Sequence, residues 1–345
     1  MKTADIKYKF GHYYQTIGSV LGDASQKVGL GVGKYKKLES TMPLGTLFIQ
    51  VTNICNANCV FCAYRKLESE KGFMRFETFK KAVDEYVEMG GKTVSFTPII
   101  GDPLIDSNLL EKIKYVKSKG KIEKIYFYSN GILLSKNDIY KALVDSGIHH
   151  ICISLGDTNR EKYKIVYKVD AYPLVIDGLS KLLKYNKEKG ERVLISINFR
   201  ASSLPSEIME SEDFKNLIKP YISDKVNFDF MKNYDNWGGV IRQEDMVGIM
   251  KMRRNKAVKT IPCARTFEPT ILHNGDVRAC STRIRTTEFD ELVVGNIHKN
   301  TLKEIYFGKE MAKVRESFLK NTLLSICKDC SRYVPATEKE LAIIG

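Results

Sequence analysis

The chain has 345 residues, 43% of them hydrophobic and 28% charged, which is the composition of a globular protein and excludes intrinsic disorder. It holds no run of about 18 apolar residues and no apolar segment behind its N-terminus, so we expect no transmembrane segment, no secretory signal and a cytoplasmic location. The net charge of +14 favours an anionic partner, although lysines scattered over most predicted helices are also typical of a solvated surface.

Residues 1–44 are expected to form a basic N-terminal extension. After them, short apolar runs rich in β-branched residues alternate with segments of helical periodicity. The six predicted strands are 46–52, 93–98, 124–129, 149–155, 193–199 and 225–231. Helices are predicted at 76–90, 107–119, 172–189 and 206–219, and another follows Ser135. Strands that alternate with helices form parallel β/α units, and six units make a partial (β/α)6 barrel of the α/β class.

The pattern changes near residue 240, where DNWGG at 235–239 makes a turn-rich break. Beyond it the predicted strands are short, and HNGD at 273–276 carries the Asn-Gly signal of a hairpin. Two helices are expected there, at 301–307 and 309–320. We therefore predict two domains after the extension, a barrel at 45–240 and a small cluster-binding α+β domain at 241–345.

The eight cysteines are unevenly grouped, and in a chain without a secretory signal such grouping favours metal binding or catalysis over disulfides. Three of them follow the first predicted strand with the spacing C-x3-C-x2-C, namely Cys55, Cys59 and Cys62. Three thiolates leave one iron of a four-iron cluster without a protein ligand, and an open coordination site indicates chemistry. The alternative is a zinc site with a fourth ligand from elsewhere. The lone Cys152 is interpreted as a small buried hydrophobe.

This motif, with Phe61 in the position before its last cysteine, resembles that of the radical S-adenosylmethionine (radical SAM) superfamily. The resemblance implies that a [4Fe–4S] cluster on the three cysteines chelates the amino and carboxylate groups of SAM. Reduction of the cluster would then cleave SAM to a 5′-deoxyadenosyl radical.

Segments at the ends of successive predicted strands resemble the family's other SAM contacts. The segment TPIIGDPL at 97–104 takes the place of the family's Gly-Gly-Glu-Pro, with Ile100 for one glycine and Asp102 for the glutamate. The resemblance implies that Asp102 accepts a hydrogen bond from the SAM ammonium and that Ser129 bonds the SAM carboxylate. The implied cofactor contacts are Phe61, Gly101, Asp102, Ser129, Asn130, Ser154, Asn198 and Arg200.

Four more cysteines lie in the predicted C-terminal domain, at Cys263, Cys280, Cys327 and Cys330. Four thiolates can hold zinc or a fully ligated [4Fe–4S] cluster, and spacing alone does not separate the two. The pattern C-x11-G-x4-C followed by C-x2-C resembles the SPASM/Twitch extension of some radical SAM enzymes. The resemblance implies one auxiliary cluster here and therefore two [4Fe–4S] clusters in the chain.

A fully ligated auxiliary cluster offers no position for substrate, so its natural role is to accept or pass an electron. After hydrogen abstraction from a carbinol carbon, loss of that electron and of a proton completes a two-electron oxidation. We therefore expect a radical SAM oxidoreductase that acts on a small polar, sugar-like alcohol. The positive charge suits a phosphorylated or nucleotide-linked substrate, and a reductant such as flavodoxin or ferredoxin is expected.

Two other functions remain open from the sequence. One is a radical SAM maturase that modifies a ribosomal peptide or protein. The other is a non-radical iron–sulfur or zinc-stabilised binding protein. No aromatic and basic platform for RNA is visible, so we expect no nucleic-acid partner.

Three side chains at or after the late strands are candidates for the catalytic proton acceptor because they should lie near the barrel mouth. They are Arg200, Asp229 and Asp235, although each of these residue types is more often structural than catalytic. Trp237 is expected to pack at the domain boundary.

Overall fold

The computed structural model describes residues 44–97, 99–281 and 290–336. Residues 1–43 of the predicted extension, Pro98 of the second predicted strand, and 282–289 and 337–345 of the predicted C-terminal domain lie outside the described residues. Within the described ranges, no helix has the length and hydrophobicity needed to cross a bilayer.

Six parallel strands form the barrel, and all six lie where the sequence predicts them. They are β1 (Leu47–Ile49), β2 (Thr93–Ser95), β3 (Lys124–Ser129), β4 (His150–Leu155), β5 (Leu194–Phe199) and β6 (Val226–Phe230). Each pairs with the next in parallel register, as expected of β/α units. A further parallel pair is β7 (Asn233–Tyr234) with β8 (Lys251–Met252).

Three short strands of the C-terminal region extend the same sheet beyond β1. They are β9 (Thr270–Ile271), β10 (Asp276–Arg278) and β11 (Val293–Asn296), and the sheet order is β11-β10-β9-β1-β2-β3-β4-β5-β6. The predicted hairpin at 273–276 joins β9 to β10, and Gly275 supplies the positive φ of +88° that its turn requires. Because β9 pairs with β1, the C-terminal region covers the edge of the barrel sheet at which the first cysteine loop begins.

The helices pack outside the sheet. They are α1 (Phe76–Glu88), α2 (Leu109–Ser118), α3 (Ile139–Asp145), α4 (Arg160–Tyr167), α5 (Tyr172–Glu188), α6 (Pro205–Glu210), α7 (Leu302–Tyr306), α8 (Lys309–Leu319) and α9 (Ser325–Asp329). The single helix predicted at 206–219 is wrong. Ser211 adopts extended backbone and its hydroxyl accepts a hydrogen bond from the amide of Phe214, so a separate π-helix begins there.

The two faces of the barrel strands differ in polarity. On β4, Ile151, Ile153 and Leu155 are fully buried, whereas the alternate residues point to the opposite face. Strand pairing places Ser154 beside Asn198 of β5, and Asn198 beside Asp229 of β6. The apolar face meets the helices, and a polar face therefore lines the interior of the partial barrel.

Candidate active site and cysteine centres

The first cysteine loop leaves the carboxyl end of β1 and is held by α4. The amides of Asn58 and Val60 donate hydrogen bonds to the carbonyls of Tyr167 and Val166, over 3.0 and 2.9 Å. The last turn of α4 thereby supplies acceptors that fix the loop between its first and last cysteines.

The three thiols of this loop lie close enough to influence one another. Burial and the neighbouring thiols of Cys62 and Cys55 raise the pKa of Cys59 well above its ordinary value. Burial raises the pKa of Cys55 to about 12 and that of Cys62 to about 11. An iron–sulfur cluster would reverse this cost, because bound iron deprotonates a coordinating thiol. Three neighbouring thiols, of which Cys59 is buried and Cys55 and Cys62 are half-buried, therefore fit the three-cysteine half of a cluster site.

The segment after β2 is pressed against the cysteine loop. The amide of Asp102 donates to the carbonyl of Ile54 over 2.8 Å. Gly101 has a φ of +104°, and a Cβ atom at this position would stand 2.6 Å from the carbonyl oxygen of Thr52. Only glycine fits here, which explains its place before the predicted cofactor contact.

The carboxylate of Asp102 is the centre of a hydrogen-bond network. It accepts from the Ser129 hydroxyl over 3.0 Å, from the Asn130 amide over 2.7 Å and from the Leu104 amide over 3.0 Å. Burial outweighs these bonds and raises the pKa of Asp102 to about 6. The structure therefore joins two residues that the sequence assigned to different groups of SAM, its ammonium and its carboxylate, and their contacts with SAM stay predictions.

Asn130 connects this network to the thiols. Its side-chain amide donates to Asn56 over 2.7 Å and approaches the Cys55 sulfur at 3.7 Å. At the other end of the loop, the Tyr64 amide lies 3.5 Å from the Cys62 sulfur. N–H groups near the sulfurs are suited to stabilise negative charge on a cluster.

Two of the three candidate proton acceptors share the barrel interior. Asn198 donates to Asp229 over 2.6 Å, and Arg200 donates to the Asn198 side-chain oxygen over 3.0 Å. The Arg200 guanidinium also stands 5.0 Å from the ring centre of Phe61. These interactions place Arg200, Asn198 and Asp229 in one chain of contacts beside the first cysteine loop.

The third candidate, Asp235, contacts its own loop and the C-terminal region. Its carboxylate accepts a hydrogen bond from the Trp237 amide over 3.1 Å and stands 3.7 Å from the Arg332 guanidinium. These partners hold a loop and the C-terminal region together. Beside burial, the charge of Asp235 contributes to the raised pKa of Cys62, and its role as a proton acceptor stays a prediction.

The predicted contact Ser154 lies on the polar face of β4. Its carbonyl accepts a hydrogen bond from the Tyr167 hydroxyl over 2.7 Å, which ties α4 to the barrel interior. Cys152, two residues earlier on the same face, is buried as expected. Phe61, within the first cysteine loop, stacks on Tyr234 with ring centres 5.3 Å apart, and this contact holds the loop in place.

The four C-terminal cysteines line one pocket, although 67 positions separate Cys263 from Cys330 in the sequence. The other walls are largely apolar and include Leu292, Phe318 and Ile326. None of the eight cysteines, all within the described ranges, forms a disulfide. Four thiols around one apolar space fit a fully ligated cluster.

A buried lysine braces this second centre. The Lys259 ammonium donates to the carbonyls of Cys327, Lys328 and Cys330 over 2.7, 2.9 and 2.8 Å, and the residue is only 3% exposed. The cation thereby holds the C-x2-C turn.

In the described part of the chain, no three His, Cys, Asp or Glu side chains form a ready-made site for a metal ion.

Sequence reasoning missed Lys259 and the whole of α4. One signal for α4 was present, since the Asn159 side chain caps the helix by accepting from the Lys162 amide over 3.1 Å. The tyrosines at positions 163 and 167 share a face at the i, i+4 spacing, but their polar hydroxyls weakened the apolar pattern. No local pattern marks Lys259.

Family comparisons agree with the two cysteine centres. Residues 49–199 match the radical SAM superfamily, and residues 263–331 match SPASM, an iron–sulfur cluster-binding domain. The chain belongs to the radical SAM superfamily. This result confirms the resemblance seen in the cysteine motifs, and it implies iron–sulfur clusters and SAM binding for the radical SAM chain.

Individual proteins are similar in sequence to part of this radical SAM enzyme. A GTP 3′,8-cyclase of Petrotoga mobilis is 28% identical over 141 residues, which make up 40% of this chain and 42% of the cyclase. The match thus spans about two fifths of that relative's length.

Two crystal structures have the same fold over most of the chain. One is BtrN in complex with AdoMet and 2-DOIA, with a TM-score of 0.55, 16% identity, and coverage of 86% of this chain and 97% of BtrN. The other is Streptococcus suis SuiB bound to precursor peptide SuiA, with a TM-score of 0.57, 17% identity, and coverage of 88% and 74%. Both confirm the predicted fold class of the radical SAM enzyme.

Proposed function

We propose that this radical SAM enzyme oxidises a small polar, sugar-like alcohol by two electrons. The observation that carries the proposal is the convergence of four cysteines on one pocket. Four protein ligands leave no iron open to substrate, so a cluster held there is suited to accept an electron. When bound, SAM and the two clusters supply hydrogen-atom abstraction and one-electron transfer.

The polarity of the barrel interior supports a polar substrate. Near the carboxyl ends of β5 and β6, Asn198 donates to Asp229 and Arg200 donates to Asn198. An apolar substrate would strip water from these groups without replacing its hydrogen bonds, which is costly. The hydroxyl groups of a sugar-like alcohol replace them. The cationic side chain of Arg200 suits an anionic substituent such as a phosphate.

We assign the role of proton acceptor to Asp229. Its side chain is exposed to the barrel interior, and Asn198 fixes one carboxylate oxygen. Desolvation by the surrounding barrel raises the pKa of Asp229, which makes the carboxylate a stronger base. The second carboxylate oxygen takes the carbinol proton as the substrate loses its second electron. Arg200 holds the Asn198 side-chain oxygen and thereby keeps the Asn198 amide directed at Asp229.

The alternative is peptide or protein maturation. BtrN has AdoMet and 2-DOIA bound, which favours a small-molecule substrate, whereas SuiB is bound to a precursor peptide. The polar interior of this chain favours the small alcohol. We therefore treat peptide modification as the competing outcome of the test.

The test uses reconstituted enzyme, a reductant, SAM, and aminocyclitols or nucleotide-linked sugars deuterated at one carbinol carbon. We expect deuterium in 5′-deoxyadenosine and an equimolar ketone. Asp229→Asn should retain deuterium transfer and lose most ketone formation, because hydrogen abstraction does not need the base. Asp224→Asn, an exposed carboxylate before β6, is the matched control and should behave as wild type. Deuterium transfer only from labelled peptides would overturn the proposal.

A further inference from the structure

One buried hydroxyl has no partner. Among the described residues, the Tyr163 hydroxyl is the buried side-chain polar atom that makes no hydrogen bond. The residue is fully buried on α4. A buried hydroxyl without an acceptor costs free energy, and phenylalanine would avoid that cost. The hydroxyl therefore needs an acceptor that the polypeptide alone does not provide.

The position of Tyr163 connects it to the first cysteine loop. Its ring stacks on Tyr167 with centres 4.6 Å apart, and Tyr167 meets the edge of Phe61 at 5.8 Å. A Cβ atom on Gly156 would stand 2.9 Å from both tyrosine rings, so the strand end leaves the stack no room to shift towards it. The stacked rings of Tyr163 and Tyr167 are therefore held in one position between the backbone of α4 and the first cysteine loop.

The neighbouring tyrosines have acceptors of their own. Tyr167 donates to the Ser154 carbonyl over 2.7 Å, and Tyr172 donates to the Asp213 carboxylate and lies 3.1 Å from the Thr158 carbonyl. Tyr163 differs from both, because its buried hydroxyl makes no hydrogen bond. Burial raises the pKa of Tyr163 most, and the neighbouring Cys59, Asp102 and Cys55 of the first site raise it further.

We propose that the Tyr163 hydroxyl donates a hydrogen bond to a sulfur of the cluster held by Cys55, Cys59 and Cys62. Cluster sulfurs are anionic acceptors, and their negative charge increases on reduction. A donor at this position stabilises the reduced cluster and raises its reduction potential. The inference rests on the family's first cluster and is independent of the proposed alcohol oxidation.

The test compares Tyr163→Phe with Tyr172→Phe in fully loaded enzyme. Each variant removes one hydroxyl from the same group of tyrosine rings, but the Tyr172 hydroxyl bonds the Asp213 carboxylate. Redox titration followed by electron paramagnetic resonance reports each cluster, and the first is recognised by its response to SAM. We expect Tyr163→Phe to disfavour reduction of the first cluster about tenfold, which is about 59 mV for one electron. The second cluster and the Tyr172→Phe enzyme should keep the wild-type potentials.

Two further measurements separate the competing explanations. An unchanged potential with weaker SAM binding would mean that Tyr163 bonds SAM, and it would overturn the proposal. Thermal unfolding should show that Tyr163→Phe stabilises the cluster-free protein and destabilises the loaded protein, because the hydroxyl gains its acceptor only on loading. Equal destabilisation of both forms would reveal a partner within the polypeptide and would also overturn it. None of these measurements uses the substrate. They therefore test the Tyr163 hydrogen bond independently of the proposed alcohol oxidation.

Discussion

The indole nitrogen of Trp237 donates a hydrogen bond of 2.8 Å to the carbonyl oxygen of Phe61, which lies between Cys59 and Cys62. The loop between β7 and β8 is therefore bonded to the segment between the last two cysteines of the first motif. A loop that supports cluster ligands from outside controls how rigidly they are held.

The same loop is bonded to the second cysteine centre. Asn236 donates to the Asp329 carbonyl over 2.6 Å and accepts from the Ser331 amide over 3.0 Å, and these two residues flank Cys330. We predict that Asn236→Ala weakens iron retention at the second centre, because it removes both bonds at about 1 kcal/mol each. Trp237→Phe, which keeps a ring and loses the donor, should instead weaken the first centre. Iron release to a chelator, followed separately for each cluster by its spectrum, measures both. Identical release at both centres in both variants would contradict this division.

The pKa of Asp102 leads to a pH prediction. Burial raises the pKa of this carboxyl to about 6, and a neutral carboxyl is a weak partner for the SAM ammonium. SAM affinity should therefore fall as the pH is lowered from 7 to 5. Asp102→Asn should bind SAM about ten- to a hundredfold more weakly at pH 7, as expected for a lost charge-assisted bond, and should show little pH dependence.

Calorimetric titration with SAM at several pH values makes that comparison. Asp106→Asn is unsuitable as a control because it breaks a buried ion pair with Lys112. The exposed Asp138 is a suitable control position, since Asp138→Asn removes a surface ion pair with Lys141. Equal SAM affinity in wild type and Asp102→Asn would show that Asp102 orders the loop and does not contact SAM.

Iron content separates the two cysteine centres. We expect about eight irons in anaerobically reconstituted protein, four for each [4Fe–4S] cluster. Joint replacement of Cys55, Cys59 and Cys62 by alanine should leave about four, and these should retain the spectrum of a fully ligated cluster. Stoichiometric zinc together with only four irons in native protein would instead assign the second centre to zinc.

Lys259 should be essential for the second centre. Lys259→Met leaves three carbonyls around the C-x2-C turn without their shared donor. Hydrogen bonds from a charged donor contribute roughly 1.5–3 kcal/mol, so we expect the variant to lose the second cluster during purification. Lys256→Met, an exposed lysine of the same segment, should retain about eight irons. Full iron content in Lys259→Met would contradict the role given to the buried cation.

The cysteine centres and the six barrel strands could be predicted from sequence because their signals are local. Spacing alone shows that Cys55, Cys59 and Cys62 belong together, and apolar runs mark the strands. The shared network of Asp102 and Ser129 could not be predicted, since it depends on how close the ends of β2 and β3 come. Strand order alone makes them neighbours and gives no hydrogen bonds.

The role of α4 and the pairing of β9 with β1 also required the structure. From the sequence alone, Tyr163 is an ordinary polar residue of a helix. The structure shows that it is fully buried and that its hydroxyl has no hydrogen-bond partner. β9 has two residues, too few for a periodicity, and its partner lies more than 200 positions earlier in the chain. Both features arise from tertiary packing, which local patterns do not encode.

The most direct test of the central claim separates hydrogen abstraction from oxidation. Cys263→Ala and Cys327→Ala remove two of the four cysteines proposed to hold the second cluster and leave the first cysteine loop intact. Circular dichroism and SAM binding first establish that each variant is folded, since loss of a cluster can unfold a small domain. With the deuterated alcohol, we predict that both variants still place deuterium in 5′-deoxyadenosine and form no ketone. A folded variant without the second cluster that makes ketone at the wild-type rate would contradict the electron-acceptor role.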